Sequence, residues 1–269
     1  MTFAFTKMNG AGNDFVLADN RDGRWRFEAG QVARLCHRQR GIGADGLILL
    51  VPCTSGRADW AWEFFNSDGS RAEMCGNGAR CFARFVQRLT GVRDRLTFET
   101  AAGVITATFQ GERVTVNLTD PRDLRLHQSL EAAGARLTVH SLDTGVPHAV
   151  VFVPEAEAVP VQNWGAALRH HPHFAPRGTN VNFVQVLGPG RIRVRTYERG
   201  VESETLACGT GVTAAALLAA RLHDFAPPVE VRVQGGDILA VDFVRTGDQF
   251  TAVRLTGPAD FVFEGCLEL

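Results

Sequence analysis

The chain contains 269 residues, of which 45% are hydrophobic and 21% charged, and its formal net charge is −1. This composition is ordinary for a globular protein of one or two domains with a sizeable core. The balanced charge and the absence of any lysine or arginine run argue against nucleic acid or an anionic membrane as the main partner, so a small molecule is the favoured ligand.

The hydropathy pattern and the N-terminal segment bear on cellular location. No apolar stretch approaches the length that spans a membrane. Residues 1–7, MTFAFTK, lack the basic start and the long apolar centre of a signal peptide. We therefore expect a cytoplasmic protein whose first segment is a β-strand.

The remaining pattern predicts many strands and four helices, at about residues 29–38, 76–89, 164–170 and 209–222. The second helix keeps a helical apolar spacing and ends at Gly91. The fourth is apolar almost all round, which is typical of a helix buried at the centre of a domain. A break at residues 119–122 (TDPR) closes the first half near Leu118, and a second set of strands is predicted from about Leu137.

The cysteines are too few and too scattered for a disulfide scaffold, and no Cys-x-x-Cys pair suggests zinc, so we expect reduced thiols. Three of them lie in apolar or helical contexts typical of small buried hydrophobes, and a fourth falls in a loop with no evident role. These four are Cys36, Cys81, Cys266 and the loop residue Cys53.

The other two cysteines open the same short phrase. Residues 75–78 read CGNG and residues 208–211 read CGTG, and each phrase runs directly into a predicted helix. A cysteine before a glycine turn is often only structural. The duplication of the glycine frame around Cys75 and Cys208 favours a functional interpretation.

A wider repeat surrounds these two phrases at the same offset of 133 residues. After each predicted helix comes an alternating strand, a glycine turn and a returning strand, which predicts an ancient duplication and two similar domains. The matched positions are Leu96, Phe98, Thr100, Gly103, Ile105 and Ala107 in the first half and Val229, Val231, Val233, Gly236, Ile238 and Ala240 in the second.

A helix start gives a cysteine particular chemistry. Unpaired backbone N–H groups and the positive end of the helix dipole favour thiolate over thiol and can also hold a carboxylate. Inverting an α-carbon without a cofactor requires a base on one face to remove the hydrogen and an acid on the other face to return one. Two matched thiols can supply both. The backbone N–H groups expected to stabilise the carboxylate are those of Gly76, Asn77, Gly209 and Thr210.

Seven motifs together identify a family resemblance. They are KMNGAGNDF at 7–15, GIGADG at 41–46, FNSDG at 65–69, CGNGARC at 75–81, GTNVNF at 178–183, YERG at 197–200 and ACGTG at 207–211. In this order, over nearly the whole chain, the sequence resembles diaminopimelate epimerase.

The resemblance implies an α+β fold of two pseudo-symmetric domains, each a β-barrel-like sheet around a central helix, with the active site in the cleft between them. We expect domains at 1–118 with 261–269 and at 119–260. The implied reaction interconverts L,L- and meso-diaminopimelate, a precursor of lysine and of peptidoglycan. The resemblance also implies a homodimer and no cofactor or metal.

Site residues follow from the same resemblance, matched motif by motif. It assigns the catalytic thiols to Cys75 and Cys208, and places His148 and Glu198 near the reacting amino group. The distal ammonium and carboxylate call for a planar cation and several amides. The residues expected at the substrate are Asn13, Asn66, Gly76, Asn77, Asn180, Glu198, Arg199, Gly209 and Thr210.

Three positions depart from the family pattern. Val146 stands where many members carry a substrate-binding asparagine before Pro-His, so that contact is expected to be missing. Gly46 occupies a position often held by glutamine. Phe263 replaces a tyrosine often found at the dimer contact, which removes its hydrogen bond.

Two alternatives to this function stay open. The same frame could serve a racemase of another amino acid, such as histidine or proline, if Arg199 and Asn180 do not hold a distal carboxylate, and the loss of asparagine at 146 keeps this alternative open. A non-catalytic amino-acid-binding protein would need neither cysteine. The histidines at 170, 171 and 173 are interpreted as a solvated loop rather than a metal site, because prolines interrupt them and no carboxylate or cysteine lies at ligand spacing.

Overall fold

The computed structural model describes residues 1–269, and the chain divides into two compact units. The first comprises Met1–Asn117 and Gly257–Leu269, and the second comprises Leu118–Thr256. Each unit combines many strands with two helices. None of the helices combines the length and apolar composition that crossing a bilayer requires.

The first unit begins with seven strands and two helices. These are β1 (Thr2–Gly10), β2 (Asn13–Asp19), α1 (Ala29–Cys36), β3 (Gly46–Val51), β4 (Trp60–Asn66), α2 (Gly76–Thr90), β5 (Arg95–Thr100), β6 (Gly103–Gln110) and β7 (Arg113–Asn117).

The second unit contains the next nine strands, although the end of β16 lies beyond its boundary. The elements are β8 (Arg122–Ala132), β9 (Ala135–Asp143), β10 (Pro147–Phe152), α3 (Val161–Arg169), β11 (Asn180–Gly188), β12 (Arg191–Glu198), β13 (Ser203–Thr205), α4 (Gly209–His223), β14 (Val229–Arg232), β15 (Ile238–Thr246) and β16 (Gln249–Pro258). A short 3₁₀ turn occupies Pro172–Phe174. The last strand, β17 (Asp260–Glu268), belongs to the first unit, where it pairs with β1.

The two units connect their strands in the same way. In the first, β1 and β2 are antiparallel, β2 and β3 parallel, β3 and β4 antiparallel, β4 and β5 parallel, and β5 to β7 antiparallel. In the second, the same alternation runs through β9, β10, β11, β12, β14, β15 and β16. The repeated topology confirms the pseudo-symmetric fold predicted from the repeat.

Each unit surrounds one helix with its strands. Helix α2 contacts β1, β2, β3, β6 and β7, and every residue from Gly76 to Ala83 is buried. Helix α4 contacts six strands, and the apolar stretch from Gly211 to Ala220 is buried throughout. The prediction of a fully buried fourth helix is thereby confirmed. Burying α4 on all sides explains why its sequence lacks a polar face.

The 133-residue offset fails by one residue in the hairpin after each central helix. In the first unit Thr100 pairs with Gly103, whereas in the second Arg232 pairs with Ile238 around a longer turn. As a result Ile238 is 42% exposed, and the inward residues of the returning strand are Leu239 and Val241. Because side chains alternate along a strand, one inserted residue exchanges the two faces.

Strand β8 was not predicted, since the second set of strands was expected to begin near Leu137. Most of its residues are exposed or half-buried, and register shifts interrupt its pairing with β9. A polar strand of this kind lacks the alternating apolar pattern that identifies strands in a sequence. Helix α3 begins at Val161, three residues before the predicted start, and the other three helices differ from prediction by at most two residues at their ends.

His140 on β9 makes the stability of the second unit depend on pH. Its side chain is buried, its ring packs edge-on against those of His127 and Phe152, and Nδ1 accepts a 3.3 Å hydrogen bond from the backbone N–H of His127. Burial, aided by the nearby charges of His127 and His223, lowers the pKa of His140 to about 4. The folded protein therefore holds this ring neutral at pH values where the unfolded chain protonates it.

We expect the free energy of unfolding to be highest above pH 6.5 with respect to this group and to fall as the pH approaches 4. At pH 5 protonation of His140 in the unfolded chain lowers the free energy of unfolding by about 2 kcal/mol relative to neutral pH, since each pH unit below 6.5 costs about 1.4 kcal/mol. His140→Asn keeps a hydrogen-bond acceptor but cannot titrate. Urea unfolding should therefore show that its free energy of unfolding falls less between pH 7.5 and pH 5 than that of the parent. The matched control is exposed His37→Asn, and an identical loss in all three proteins would contradict the prediction.

Candidate active site

Cys75 lies at the N-cap of α2. Its backbone is extended, with φ −145° and ψ 121°, and its carbonyl accepts the helical hydrogen bond of Ala79 at 2.8 Å. The N–H groups of Gly76, Asn77 and Gly78 therefore have no acceptor within the helix. The first turn carries no acidic side chain, so the positive end of the helix is not neutralised by the helix itself.

Cys208 occupies the same position on α4. Its φ of −124° and ψ of 110° are again extended, and its carbonyl accepts from Val212 at 2.8 Å. Its Sγ lies 3.5 Å from the hydroxyl of Thr210, and the first turn again lacks an acid. Both thiols thus stand where backbone N–H groups and the helix dipole can act on them and on a bound carboxylate.

Two of the expected substrate-binding asparagines meet beside α2. The side-chain amide of Asn77 donates to Oδ1 of Asn13 at 2.7 Å, and Asn13 in turn donates to the carboxylate of Asp45 at 2.9 Å. Asn77 is buried and Asn13 is half-buried. The first, second and fourth sequence motifs are therefore brought together at the helix start.

The close approach of β1 to α2 explains the glycine in the first motif. A Cβ atom on Gly10 would lie 2.7 Å from the carbonyl oxygen of Asn77 and 3.0 Å from Sγ of Cys81. The fully buried guanidinium of Arg80 joins the same elements, because it donates to the carbonyl oxygens of Gly10 and Gly76. Any side chain at position 10 would push the strand away from the helix start.

Asn66 shows a structural role of its own. It opens a turn in which Gly69 N–H donates to its carbonyl, and its side-chain amide donates to Ser70 Oγ at 3.0 Å. The residue is exposed at the end of β4. Its binding role stays a prediction.

In the second unit the expected polar residues lie on adjacent strands. His148 on β10 pairs with Asn180 on β11, and Asn180 bonds on both sides, donating to Pro147 O at 3.1 Å and accepting from Arg199 N–H at 2.9 Å. Glu198 ends β12 and accepts from the hydroxyl of Thr205 at 2.9 Å. The adjacent ends of β10, β11 and β12 thus bring together a histidine, an amide, a carboxylate and, just beyond β12, a guanidinium.

His148 is held as a neutral ring. Its side chain is fully buried, and this burial, with the charge of Arg199, lowers its pKa to about 3. Nδ1 lies 3.2 Å from the side-chain amide of Asn182, whereas Nε2 has no hydrogen-bond partner. A buried polar atom without a partner costs free energy, so Nε2 is suited to a hydrogen bond with a ligand.

Asn182 was missed by the sequence analysis. Besides His148, it donates to Ala149 O at 3.1 Å and accepts from Thr196 Oγ1 at 2.9 Å. A Cβ atom on Gly211 would lie only 2.3 Å from its Oδ1, so Asn182 abuts the first turn of α4. The available signal was its position two residues after Asn180, on the same face of a mainly apolar strand.

Arg199 carries a charge that no protein carboxylate neutralises directly. Its guanidinium donates to the carbonyl of Arg177 at 3.2 Å and forms no ion pair. Burial, followed by the like charges of Arg177 and Arg169, lowers its pKa. Because an arginine remains protonated at neutral pH, this fork is suited to an incoming carboxylate.

The three departures from the family pattern have local consequences. A Cβ atom on Gly46 would lie 2.6 Å from Phe65 O, so no side chain fits there without a shift of β3. Val146 presents only its backbone, whose carbonyl accepts from Thr144 N–H at 3.2 Å. Phe263 is 48% exposed on β17 and packs edge-on against Phe5.

The histidines near position 171 form part of a turn. Nδ1 of His171 accepts the backbone N–H of His173 at 3.1 Å at the start of the 3₁₀ turn. No group of three histidine, cysteine, aspartate or glutamate side chains in the protein has the arrangement of a metal site.

Comparison with known proteins gives consistent results. The family model described as diaminopimelate epimerase matches residues 5–123 and 140–262, the two repeated halves. The diaminopimelate epimerase of Aquifex aeolicus (strain VF5) is 46% identical and the alignment covers 98% of this chain and 97% of that protein. The one from Hydrogenobaculum sp. (strain Y04AAS1) is 41% identical over 97% of each.

Solved structures share the fold at low sequence identity. A phenazine biosynthesis protein of the PhzF family from Bacillus anthracis superposes with a TM-score of 0.74 at 14% identity over 100% of both chains. A probable proline racemase from Agrobacterium radiobacter K84 gives 0.73 at 20% identity over 99% of this chain and 93% of that one. With the matched halves and the near full-length relatives, these findings show that the chain belongs to the diaminopimelate epimerase family.

Proposed function

We propose that this protein interconverts L,L- and meso-diaminopimelate without a cofactor, by a two-base mechanism in which Cys75 and Cys208 act on one α-carbon. The observation that carries the proposal is the equivalent position of the two thiols, each at the N-cap of the central helix of its unit. The reaction requires both thiols to reach the same carbon from opposite faces.

The proposed proton transfers balance between the two sulfurs. A thiolate on one face removes the α-proton and becomes a thiol, and the negative charge spreads from the carbon onto the carboxylate. The thiol on the other face then donates its proton to the carbon and becomes a thiolate. After one turnover the roles are exchanged, so the pair titrates as a coupled unit in which one proton is shared.

Stabilisation of the charged intermediate is assigned to the helix starts. The carboxylate gains charge during the reaction, and backbone N–H groups aimed at that charge lower the barrier more than they strengthen substrate binding. Gly76, Asn77, Gly209 and Thr210 begin the two helices and supply these donors.

The other substrate groups are assigned to side chains around these helix starts. The carboxylate of Glu198 is suited to accept from the reacting ammonium group, beside which we also propose His148. Because Nδ1 of the neutral ring faces the amide donor of Asn182, the partnerless Nε2 carries the ring proton and is suited to donate to a substrate acceptor. Arg199 is suited to the distal carboxylate, supported by its lack of an ion pair. The amides of Asn66 and Asn180 are proposed to complete recognition of these groups, and that of Asn13, which accepts from the Asn77 amide, is proposed to contact the substrate beside the Cys75 helix start.

The wider setting of the activity follows from the same proposal. Meso-diaminopimelate is the precursor of lysine and the cross-linking residue of many bacterial cell walls, so we infer a cytoplasmic enzyme of amino-acid biosynthesis. We also propose a homodimer in which β17 contributes to the contact, supported by exposed Val262 and Phe263 on this strand.

Proton NMR in D2O tests the substrate directly. We expect rapid loss of the α-proton signal from L,L-diaminopimelate with no cofactor or metal added, because the abstracted proton exchanges with solvent. L-histidine and L-proline, incubated in parallel, should keep their α-protons. Exchange in one of these two alone would keep the mechanism and overturn the substrate, and no exchange at all would favour an amino-acid-binding protein.

Single substitutions of the two thiols separate two-base from one-base chemistry. In Cys75→Ala and in Cys208→Ala we expect epimerisation to fall by about 10²–10⁴-fold, the usual contribution of an acid or base. Each variant should still exchange the α-proton of one isomer, the one whose proton faces the remaining thiol, and the two variants should prefer opposite isomers.

The matched control for this experiment is Cys53→Ala, which removes a thiol near the surface without touching either helix start. It should epimerise at the parental rate. Loss of exchange for the same isomer in both active-site variants would contradict the two-base mechanism.

Arg199 is expected to act mainly in binding the distal carboxylate. Arg199→Gln should raise KM for diaminopimelate by roughly 10–100-fold, since a hydrogen-bonded charge pair contributes about 1.5–3 kcal/mol, with a smaller change in kcat. Exposed Arg191→Gln, at the other end of the strand that Arg199 follows, is the control. A KM unchanged in Arg199→Gln would remove this residue from the site.

A further inference from the structure

Asn13 lies in a short relay of side chains that ends at the start of α2. On one side its amide donates to Oδ2 of Asp45 at 2.9 Å, and on the other its Oδ1 accepts from the amide of Asn77 at 2.7 Å. Oδ1 of Asn77 then accepts from the guanidinium of Arg80 at 2.9 Å. Two asparagines are thereby connected in series between a carboxylate and a guanidinium.

The two ends of the relay determine how both amides point. An ionised carboxylate can only accept hydrogen bonds, and a guanidinium can only donate them. If either asparagine were rotated by half a turn, two donors or two acceptors would face each other. Asp45 and Arg80 together therefore specify the orientation of Asn13 and Asn77, independently of how nitrogen and oxygen are assigned.

This orientation leaves Asn13 with one N–H that the relay does not use. Its Oδ1 and one hydrogen of its Nδ2 are engaged by Asn77 and Asp45. The second hydrogen of Nδ2 is available as a donor. Because Asn77 is the second residue of the helix that Cys75 caps, this donor lies one hydrogen bond from that helix start.

The charge at position 45 is held in place by a cluster of ion pairs. Arg38 binds Oδ1 of Asp45 at 2.7 Å and both oxygens of Asp14 at 2.9 and 3.0 Å. Lys7, the chain's only lysine, is buried and pairs with Asp14 at 2.8 Å. These cations lower the pKa of the Asp14 carboxyl to about 2 despite its burial, so Asp14 stays ionised at neutral pH.

We propose that Asp45 is a positioning residue of the Cys75 helix start, which orients the Asn13 amide so that its unused N–H serves as a donor to the substrate carboxylate. This rests on the proposed function, in which that helix start receives the α-carboxylate. The second unit has no such relay, because Val146 stands at the position of Asn13 and, by the register of the paired strands, Thr179 stands at that of Asp45.

Asp45→Asn is the informative substitution because it keeps the shape of the side chain. The carboxylate serves Arg38 through Oδ1 and Asn13 through Oδ2. Oδ2 also accepts from the backbone N–H of Asp14 at 3.2 Å. An amide has one acceptor atom and no charge, so either Arg38 or Asn13 would face an N–H group, and the hydrogen bond that orients Asn13 would be weakened or lost. Asp14→Asn is the matched control, because it removes a charge from the same cluster, and the Asp14 side chain bonds Lys7, Arg38 and the backbone N–H of Asp45 but not the side chain of Asn13.

Two readouts test the role, one with the substrate and one without. For diaminopimelate we expect kcat/KM of Asp45→Asn to fall by about 10–100-fold, as for loss of one hydrogen bond to a charged group, and that of Asp14→Asn to stay near the parental value once both are folded. Thermal unfolding of the two variants establishes that they are folded at the assay temperature.

The second readout is the alkylation of Cys75 after reduction with a phosphine, followed by peptide mass spectrometry. The thiolate displaces iodide from iodoacetate or from iodoacetamide, so an S–C bond forms as the C–I bond breaks. A carboxylate-binding helix start favours iodoacetate over neutral iodoacetamide. We expect Asp45→Asn to lower the iodoacetate-to-iodoacetamide rate ratio at Cys75, while this ratio at exposed Cys266 is unchanged.

The outcomes separate this proposal from the proposed function. If the parent does not turn over diaminopimelate but Asp45→Asn still lowers the rate ratio at Cys75, the positioning role stands and the substrate assignment fails. If Asp45→Asn matches Asp14→Asn in both kcat/KM and rate ratio, the relay has only a structural role and the proposal is overturned.

Discussion

The rest of this structure depends on one constraint, which is that a helix start must remain open to a ligand while it is buried among strands. The first three N–H groups of α2 and of α4 have no acceptor within their helices, and unsatisfied donors in an apolar interior are costly. Packing brings other atoms close to these starts: a Cβ atom on Gly78 would lie 3.2 Å from Ile48, and one on Gly211 would lie 2.3 Å from Asn182. Gly78 and Gly211 therefore leave room for these neighbouring side chains, which a larger residue at either position would displace.

The same constraint accounts for the distribution of charge near the two helices. Neither first turn contains an acid that would neutralise the dipole. The cations Lys7, Arg38 and Arg199 differ in whether a carboxylate pairs with them. Lys7 and Arg38 are neutralised by carboxylates of their own unit, so they act on structure, whereas Arg199 has no ion pair. A cation without a carboxylate partner can contribute its charge to an incoming carboxylate, whereas one in an ion pair must first give up that contact.

The sequence was sufficient for those features that repeat with a helical or alternating period, and insufficient where an interaction depends on residues far apart in the chain. The helix bounds, the buried character of α4 and the duplicated frame of Cys75 and Cys208 followed from local patterns. The one-residue slip near Ile238 did not, because turn length is determined by how two strands close against their neighbours. Nor did the neutral state of His148, whose pKa depends on burial by strands from other parts of the unit. Asp45 sits in a motif used for recognition, yet its contact with Asn13 spans 32 positions and appears only in the folded chain.

Under the proposed mechanism the two halves need to be alike in one respect and different in all others. Inversion of an α-carbon moves the hydrogen from one face to the other, so the two bases must be equivalent, and a duplicated cysteine frame provides this. The carboxylate, ammonium and side chain of the same carbon are three different groups, and a symmetric surrounding could not distinguish them. Equivalent strand positions in the two units carry different residues accordingly. Phe15 pairs with Gly46 in the first unit, whereas His148 pairs with Asn180 in the second. Divergence around a retained pair of thiols is what allows a duplicated fold to hold an asymmetric substrate while its protons are exchanged symmetrically.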